Sequence, residues 1–74
     1  MKNIEELLQD GGSVSIEPLD DFPCVACAAD FHNTIALLVR REGESLTALL
    51  KRLDKAVARY YSDTVVTDET EAQD

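Results

Sequence analysis

The sequence predicts an α+β domain of order α-β-β-β-α, in which a three-stranded antiparallel meander packs against one long C-terminal helix. Two observations support this prediction. Apolar residues recur at helical spacing from Ser45 to Tyr61. Between residues 13 and 39, three short runs have the composition of strands and are separated by turn-forming residues. The 74 residues suffice for one domain, which we place at 1–61, before an acidic tail at 62–74.

A short helix is predicted at residues 4–10. Asn3 is a favourable N-cap and Glu6 follows three positions later, which is the spacing of a capping box. Gly11 can end the helix in a left-handed conformation. Because so short a helix is marginal in water, we expect it to dock against the rest of the domain.

The first two strands differ in their predicted place in the sheet. Residues 13–19 alternate polar and apolar side chains, the period of a half-buried strand. Pro18 has no N–H to donate, which places this strand at an edge or ends it there. Residues 20–23 have the composition of a turn. Residues 24–29 are small and apolar on both faces, which favours a central strand.

Residues 34–39 allow two interpretations. Asn33 could cap a helix that ends at Gly43, or the run could form a buried third strand. The β-branched residues and the short length favour the strand.

The helix from Ser45 to Tyr61 is the best-specified element. Ser45 is a favourable N-cap, and Gly43 interrupts whatever structure precedes it. The residues of its predicted inner face are Leu46, Leu49, Leu50, Leu53, Ala56, Val57 and Tyr60. The residues predicted to face outward are Thr47, Lys51, Arg52, Lys55 and Arg59.

The net charge of −8 is unevenly distributed along the chain. Residues 40–59 carry six bases against three acids, whereas the segments before and after are strongly acidic. Lys51, Lys55 and Arg59 form one stripe, which could dock on phosphates or on an acidic patch of a partner. The acidic balance and the lack of interleaved aromatic residues make nucleic acid the less favoured ligand. The tail at 62–74, which we expect to be disordered at least over 67–74, could engage a basic protein partner.

Tyr60 and Tyr61 end the predicted helix. One is expected at the edge of the core and the other in solvent, where tyrosine favours interfaces. A core this small often needs a partner subunit, so a homodimer is predicted. Lys51, Lys55, Arg59 and the two tyrosines are therefore the candidate partner-binding residues.

Two further groups of side chains have residue types that occur in catalytic or metal sites. Cys24 and Cys27 have the CxxC spacing of a redox pair, but residues three apart in a strand point to opposite faces, which favours two packed thiols. A zinc site would need four ligands, and the two cysteines with His32 supply three. His32 lies two residues after Asp30 without a nucleophile placed by sequence, so a structural role is expected, in which the ring nitrogens cap a turn. We therefore predict a non-enzymatic protein without a cofactor or metal.

The N-terminus lacks the long apolar run of a signal peptide, and no segment of the sequence has the apolar length of a membrane span. We therefore expect a cytoplasmic protein with reduced thiols.

Several short motifs resemble a known family. They are the Val-Ser-Ile-Glu-Pro run at 14–18, the run 24–30, the Gly-Glu-Ser-Leu step at 43–46 and the apolar positions of the following helix. Over residues 13–61 these resemble the partial-antitoxin domain of HicB-like proteins. The resemblance implies the α+β fold, self-association, and an antitoxin-like or accessory role through binding a partner protein.

The sequence has two other similarities. The His-Asn turn and the Arg-Arg-x-Gly-Glu step at 40–44 are similar to small uncharacterised proteins of bacterial mobile elements. The element order is also that of double-stranded-RNA-binding domains, which need lysines where their second helix begins. Here a carboxylate, Glu44, stands at that place.

Overall fold

Two helices and four strands alternate in the order α1-β1-β2-β3-α2-β4 in the computed structural model, which describes residues 1–71. Their bounds are α1 Lys2–Gln9, β1 Ser13–Leu19, β2 Phe22–Ala29, β3 Thr34–Val39, α2 Leu46–Asp63 and β4 Thr67–Asp68. The predicted α+β class and the order α-β-β-β-α are confirmed, and a short fourth strand follows them.

The first three strands form the predicted antiparallel meander. β1 lies at one edge of the sheet, as Pro18 indicated, and β2 lies between β1 and β3. Leu19 pairs with Phe22, so the intervening Asp20 and Asp21 make a two-residue turn. The strand interpretation of residues 34–39 is confirmed over Thr34–Val39.

The long helix α2 begins where the sequence predicted. The Ser45 hydroxyl accepts a hydrogen bond of 3.0 Å from the backbone N–H of Ala48. The helix continues to Asp63, two residues beyond the predicted end, and Thr64 follows in the left-handed conformation. Leu46, predicted on the inner face, is 47% exposed, because it lies in the first turn beyond the edge of the core.

The core lies between the two helices and one face of the sheet. Its small residues, such as Ala26 and Ala28 of β2, let α2 approach the strands closely. The buried residues that form it are Ile4, Leu7, Ala26, Ala28, Ile35, Ala36, Leu38, Leu49, Leu53, Ala56 and Val57.

The start of α1 differs from its prediction. The helix covers Lys2–Gln9, so Asn3 lies inside it and forms no capping box. Instead, Asp54 of α2 accepts hydrogen bonds from the Ile4 backbone N–H, at 2.9 Å, and from the Asn3 side-chain amide, at 3.0 Å. A carboxylate 50 residues away in sequence therefore supplies the cap that the local sequence was expected to supply.

The predicted disordered tail is wrong for residues 62–71. Ser62 and Asp63 belong to α2, and Thr67–Asp68 pair in parallel with Ala36 and Leu37 of β3. The parallel pairing is possible because α2 forms the crossover that joins β3 to β4. The composition of the segment indicated disorder, but a sheet edge supplies backbone partners whatever the side chains are. Residues 72–74 of the predicted tail lie outside the described residues.

Replacement of Asp54 by alanine tests the cap between the helices. Asp54→Ala leaves the first N–H groups of α1 without their acceptor, so we expect a loss of about 0.5–2 kcal/mol in unfolding free energy. Hydrogen exchange should accelerate first in residues 2–9. Gln9→Ala, an exposed substitution in the same helix, is the control. Unchanged exchange in α1 of Asp54→Ala would contradict this role.

Candidate functional site

The Arg52 side chain joins four parts of the fold. Its guanidinium donates to both carboxylate oxygens of Glu44, with Nε–Oε2 2.7 Å and Nη2–Oε1 3.0 Å. It also donates to Oε2 of Glu69 at 2.8 Å and to the Val39 carbonyl at 3.0 Å. We call this cluster of Arg52, Glu44 and Glu69 the arginine lock. The prediction that Arg52 faces outward is wrong, since its side chain is 22% exposed and its guanidinium donates four hydrogen bonds within the fold.

The two carboxylates of the arginine lock also hold backbone. Glu44 accepts a hydrogen bond from the Arg41 N–H at 2.9 Å, and Glu69 accepts one from the Val39 N–H at 2.9 Å. The hydrogen bonds from Arg52 and from the Arg41 backbone lower the pKa of Glu44 to about 2. The lock therefore fixes the loop between β3 and α2, and it holds the segment that follows β4 against β3.

The other three cations of α2 remain exposed. Lys51, Lys55 and Arg59 lie one turn apart along the helix, and no salt bridge within residues 1–71 uses them. We call these three residues the cationic stripe. Lys55 and Arg59 line an open groove of about 230 Å³ whose opposite wall includes Thr67 of β4. The structure therefore places a strand edge beside two of the three predicted cations, and Lys51 lies one turn before them on the same helix.

The two tyrosines do not join the stripe. Tyr60 packs against the core, as predicted for one of the pair, and Tyr61 is 54% exposed. Tyr61 lies on the opposite side of α2, in a second groove with Glu6 of α1 and with Asp10, which follows that helix. Partial desolvation and the nearby carboxylates of Asp30 and Asp10 raise the pKa of Tyr61. The three candidate cations and Tyr61 therefore lie on two surfaces of opposite charge, and Tyr60 belongs to the edge of the core.

The cysteines lie apart, as their spacing indicated. Cys24 packs against the core, whereas Cys27 lines a groove on the other face of the sheet with Ser15 and Glu17 of β1. Both are free thiols. Burial, with a smaller contribution from the negative charge of Glu17, raises the pKa of the Cys27 thiol. A raised pKa disfavours the thiolate, so Cys27 lacks the activation that redox and nucleophilic cysteines have.

The turn that contains His32 is held by a different side chain. One carboxylate oxygen of Asp30 accepts the backbone N–H groups of His32, at 2.8 Å, and of Asn33, at 2.6 Å. These bonds, with that from Asn33 the stronger influence, lower the pKa of Asp30. The expected capping by the histidine ring is therefore wrong, and the ring instead stacks edge to face with exposed Phe31.

The part of the chain that the structure describes contains neither a cluster of metal-ligating side chains nor a helix that could span a membrane. Within residues 1–71, no three His, Cys, Asp or Glu side chains come together to hold a metal ion. Neither helix in this range has the length and apolar character needed to cross a membrane.

Comparisons with protein-family models, with curated proteins and with solved structures found no match to this chain. The HicB-like resemblance and the homodimer therefore stay predictions.

Sedimentation equilibrium tests the predicted homodimer. If only monomer is present at high micromolar concentration, the prediction is contradicted.

Sequence reasoning missed the arginine lock and the strand edge. The four-residue repeat of the cations was visible and grouped Arg52 with its neighbours. One local signal distinguishes Arg52 from the other cations. Glu44 lies just before the helix that contains Arg52, eight residues away in sequence. The pairing with Glu69, however, depends on the path of the chain after α2.

Substitution of Arg52 tests the lock. Arg52→Met keeps a long apolar stem and removes every donor, so the Val39 carbonyl and the carboxylates lose their partner. We expect a loss of about 1–3 kcal/mol in unfolding free energy, measured by urea denaturation, and faster hydrogen exchange in residues 67–69. Arg59→Met, in the same helix but without an ion pair in residues 1–71, should stay within about 0.5 kcal/mol of wild type. Equal effects of both substitutions would contradict the lock.

The pH dependence of stability follows from the Glu44 carboxyl. Its pKa falls from 4.5 to about 2 on folding, so the unfolded chain binds this proton more readily. The stabilisation is complete above pH 4.5 and is lost as the pH falls towards 2. Denaturation midpoints should therefore decrease over this range, and less steeply in Glu44→Gln. Glu42→Gln, at an exposed neighbouring position, should keep the wild-type slope. A Glu44→Gln profile parallel to wild type would refute the assignment.

Proposed function

We propose that this chain is a non-enzymatic protein-interaction domain that binds a partner protein through the cationic stripe and the adjacent edge of β4. One observation carries the proposal. Lys51, Lys55 and Arg59 are exposed and have no ion pair within residues 1–71, on a chain whose net charge is −8. Concentrated surface charge of this kind accelerates association with a complementary surface and determines its orientation.

The placement of the polar side chains supports binding over catalysis. Cys24 and Cys27 lie on opposite faces of the sheet, and the carboxylate beside His32 is occupied by backbone N–H groups. A nucleophile, a base and a residue that orients the base would have to lie within hydrogen-bond reach of one another. A thiol or redox activity therefore gains no support from this geometry.

An antitoxin-like or accessory role, in a bacterial or phage mobile element, is the more specific form of the proposal. It draws its support from the HicB-like resemblance, and it would place a basic partner on an acidic surface of the domain. The groove of Glu6, Asp10 and Tyr61 offers such a surface, since two carboxylates flank an exposed aromatic ring. Free cysteines are compatible with the reducing cytoplasm as the site of action.

Affinity capture from a bacterial lysate, with three variants, tests which surface binds. The stripe variant Lys51→Gln/Lys55→Gln/Arg59→Gln removes three charges and keeps good helix formers. The groove variant Glu6→Gln/Asp10→Gln removes two carboxylates on the other side. Lys2→Gln is the matched control for loss of a positive charge away from α2. Circular dichroism establishes that each variant is folded.

We expect a protein that wild type and Lys2→Gln retain and that the stripe variant loses. Loss in the groove variant alone would replace the stripe by the acidic groove and favour a basic partner. Recovery that nuclease treatment abolishes would assign the stripe to nucleic acid and overturn the proposal. Equal recovery by all variants would reject both surfaces.

A further inference from the structure

The free edge of β4 differs from the free edge of β1. Within residues 1–71, β4 pairs with β3 on one side and has no strand on the other. Such an edge presents unpaired N–H and C=O groups to another strand. At the other edge, Pro18 of β1 lacks an N–H, which discourages pairing, whereas each edge carries one negative charge, from Glu17 in β1 and from Asp68 in β4. The β4 edge lacks a proline, and Val65 and Val66 directly before it are exposed.

Two residues of the cationic stripe lie beside this same edge. Thr67 of β4 and the side chains of Lys55 and Arg59 line one groove. Because α2 is the crossover between two parallel strands, it runs antiparallel to them. A new strand on β4 would therefore extend alongside the stripe.

The axial spacing of the cations on α2 matches the spacing of alternate residues in a strand. Cations four residues apart on a helix are separated by about 6 Å along its axis. Alternate residues of an extended strand are separated by about 6.6 Å and point to the same side. Carboxylates at every second position of an added strand would thus match the spacing of Lys55 and Arg59, which line the groove. The remaining positions of such a strand face the other side of the sheet.

We propose that the groove between α2 and β4 binds an extended acidic peptide of a partner protein, which adds a strand to the free edge of β4. This inference rests on the proposed function and specifies the chemistry of the partner. Backbone hydrogen bonds to the edge supply affinity, and alternate carboxylates opposite the cationic stripe supply selectivity. The exposed valines add apolar contact next to the edge. A nucleic acid could use the charges, but it has no peptide backbone to continue the sheet.

Fluorescence anisotropy with labelled eight-residue peptides tests the proposal on the full chain. The probe peptide alternates Glu and Val, and its uncharged control peptide alternates Gln and Val. A third peptide has the probe's composition with all Glu residues in one block. Two further peptides carry N-methyl groups on the backbone, one at the Glu positions and the other at the Val positions. A single-stranded oligonucleotide is the competitor from the other class of macromolecule.

We expect the alternating Glu-Val peptide to bind, to weaken with added salt, and to bind the stripe variant roughly ten-fold more weakly, as for the loss of several surface ion pairs. Only one of the two N-methylated peptides should lose binding, because alternate N–H groups of a strand face its neighbour. Amide signals of residues 64–69 should shift in nuclear magnetic resonance spectra of the complex.

Other results would overturn the inference. Equal binding of both N-methylated peptides, or of the block peptide, would mean charge attraction without strand addition. Tighter binding of the oligonucleotide than of the probe would make the stripe a nucleic-acid surface. If the probe fails to bind while affinity capture still recovers a protein through the stripe, the acidic-peptide inference alone fails. If capture also fails, the proposed function fails with it.

Discussion

The guanidinium of Arg52 is the point at which the separate elements of this fold are joined. Glu44 lies before α2, Val39 ends β3, and Glu69 follows β4, and all three accept hydrogen bonds from this one side chain. A planar group with five donors in fixed directions can satisfy several acceptors at once, which an ammonium group on a flexible stem does less well. Because Glu44 is 8% exposed and Glu69 is 31% exposed, the contacts are shielded enough from water to hold these two residues in place.

The arginine lock also determines the charge of the surface beside β4. It neutralises one cation of α2 and keeps the segment after β4 at the sheet, where β4 forms an edge beside Lys55 and Arg59. Glu69 lines the same groove as Lys55 and Arg59, but its charge is paired with Arg52. The same side chain therefore positions the strand edge and leaves three positive charges for an external ligand.

The two sides of α2 carry opposite charges. The stripe lies on the β4 side, whereas Tyr61 lies near the carboxylates of Glu6 and Asp10 on the α1 side. Opposite charges on the two sides of one helix favour particular orientations of a charged partner during encounter. The position of α1 that produces the acidic side depends on Asp54, whose hydrogen bonds outweigh its partial burial and lower its pKa.

Sequence by itself determined the elements whose signals are local. The helix after Ser45, the three antiparallel strands and the opposite orientation of Cys24 and Cys27 all follow from periods of 3.6 or 2 residues and from a cap. It also grouped the cations of the stripe. Tertiary structure alone decided the cap of α1, the role of Arg52 and the existence of β4. Each of these depends on a partner distant along the chain: 50 residues separate Ile4 from Asp54, and 17 separate Arg52 from Glu69. Periodicity describes which way a side chain points, but only the folded path determines which group it meets.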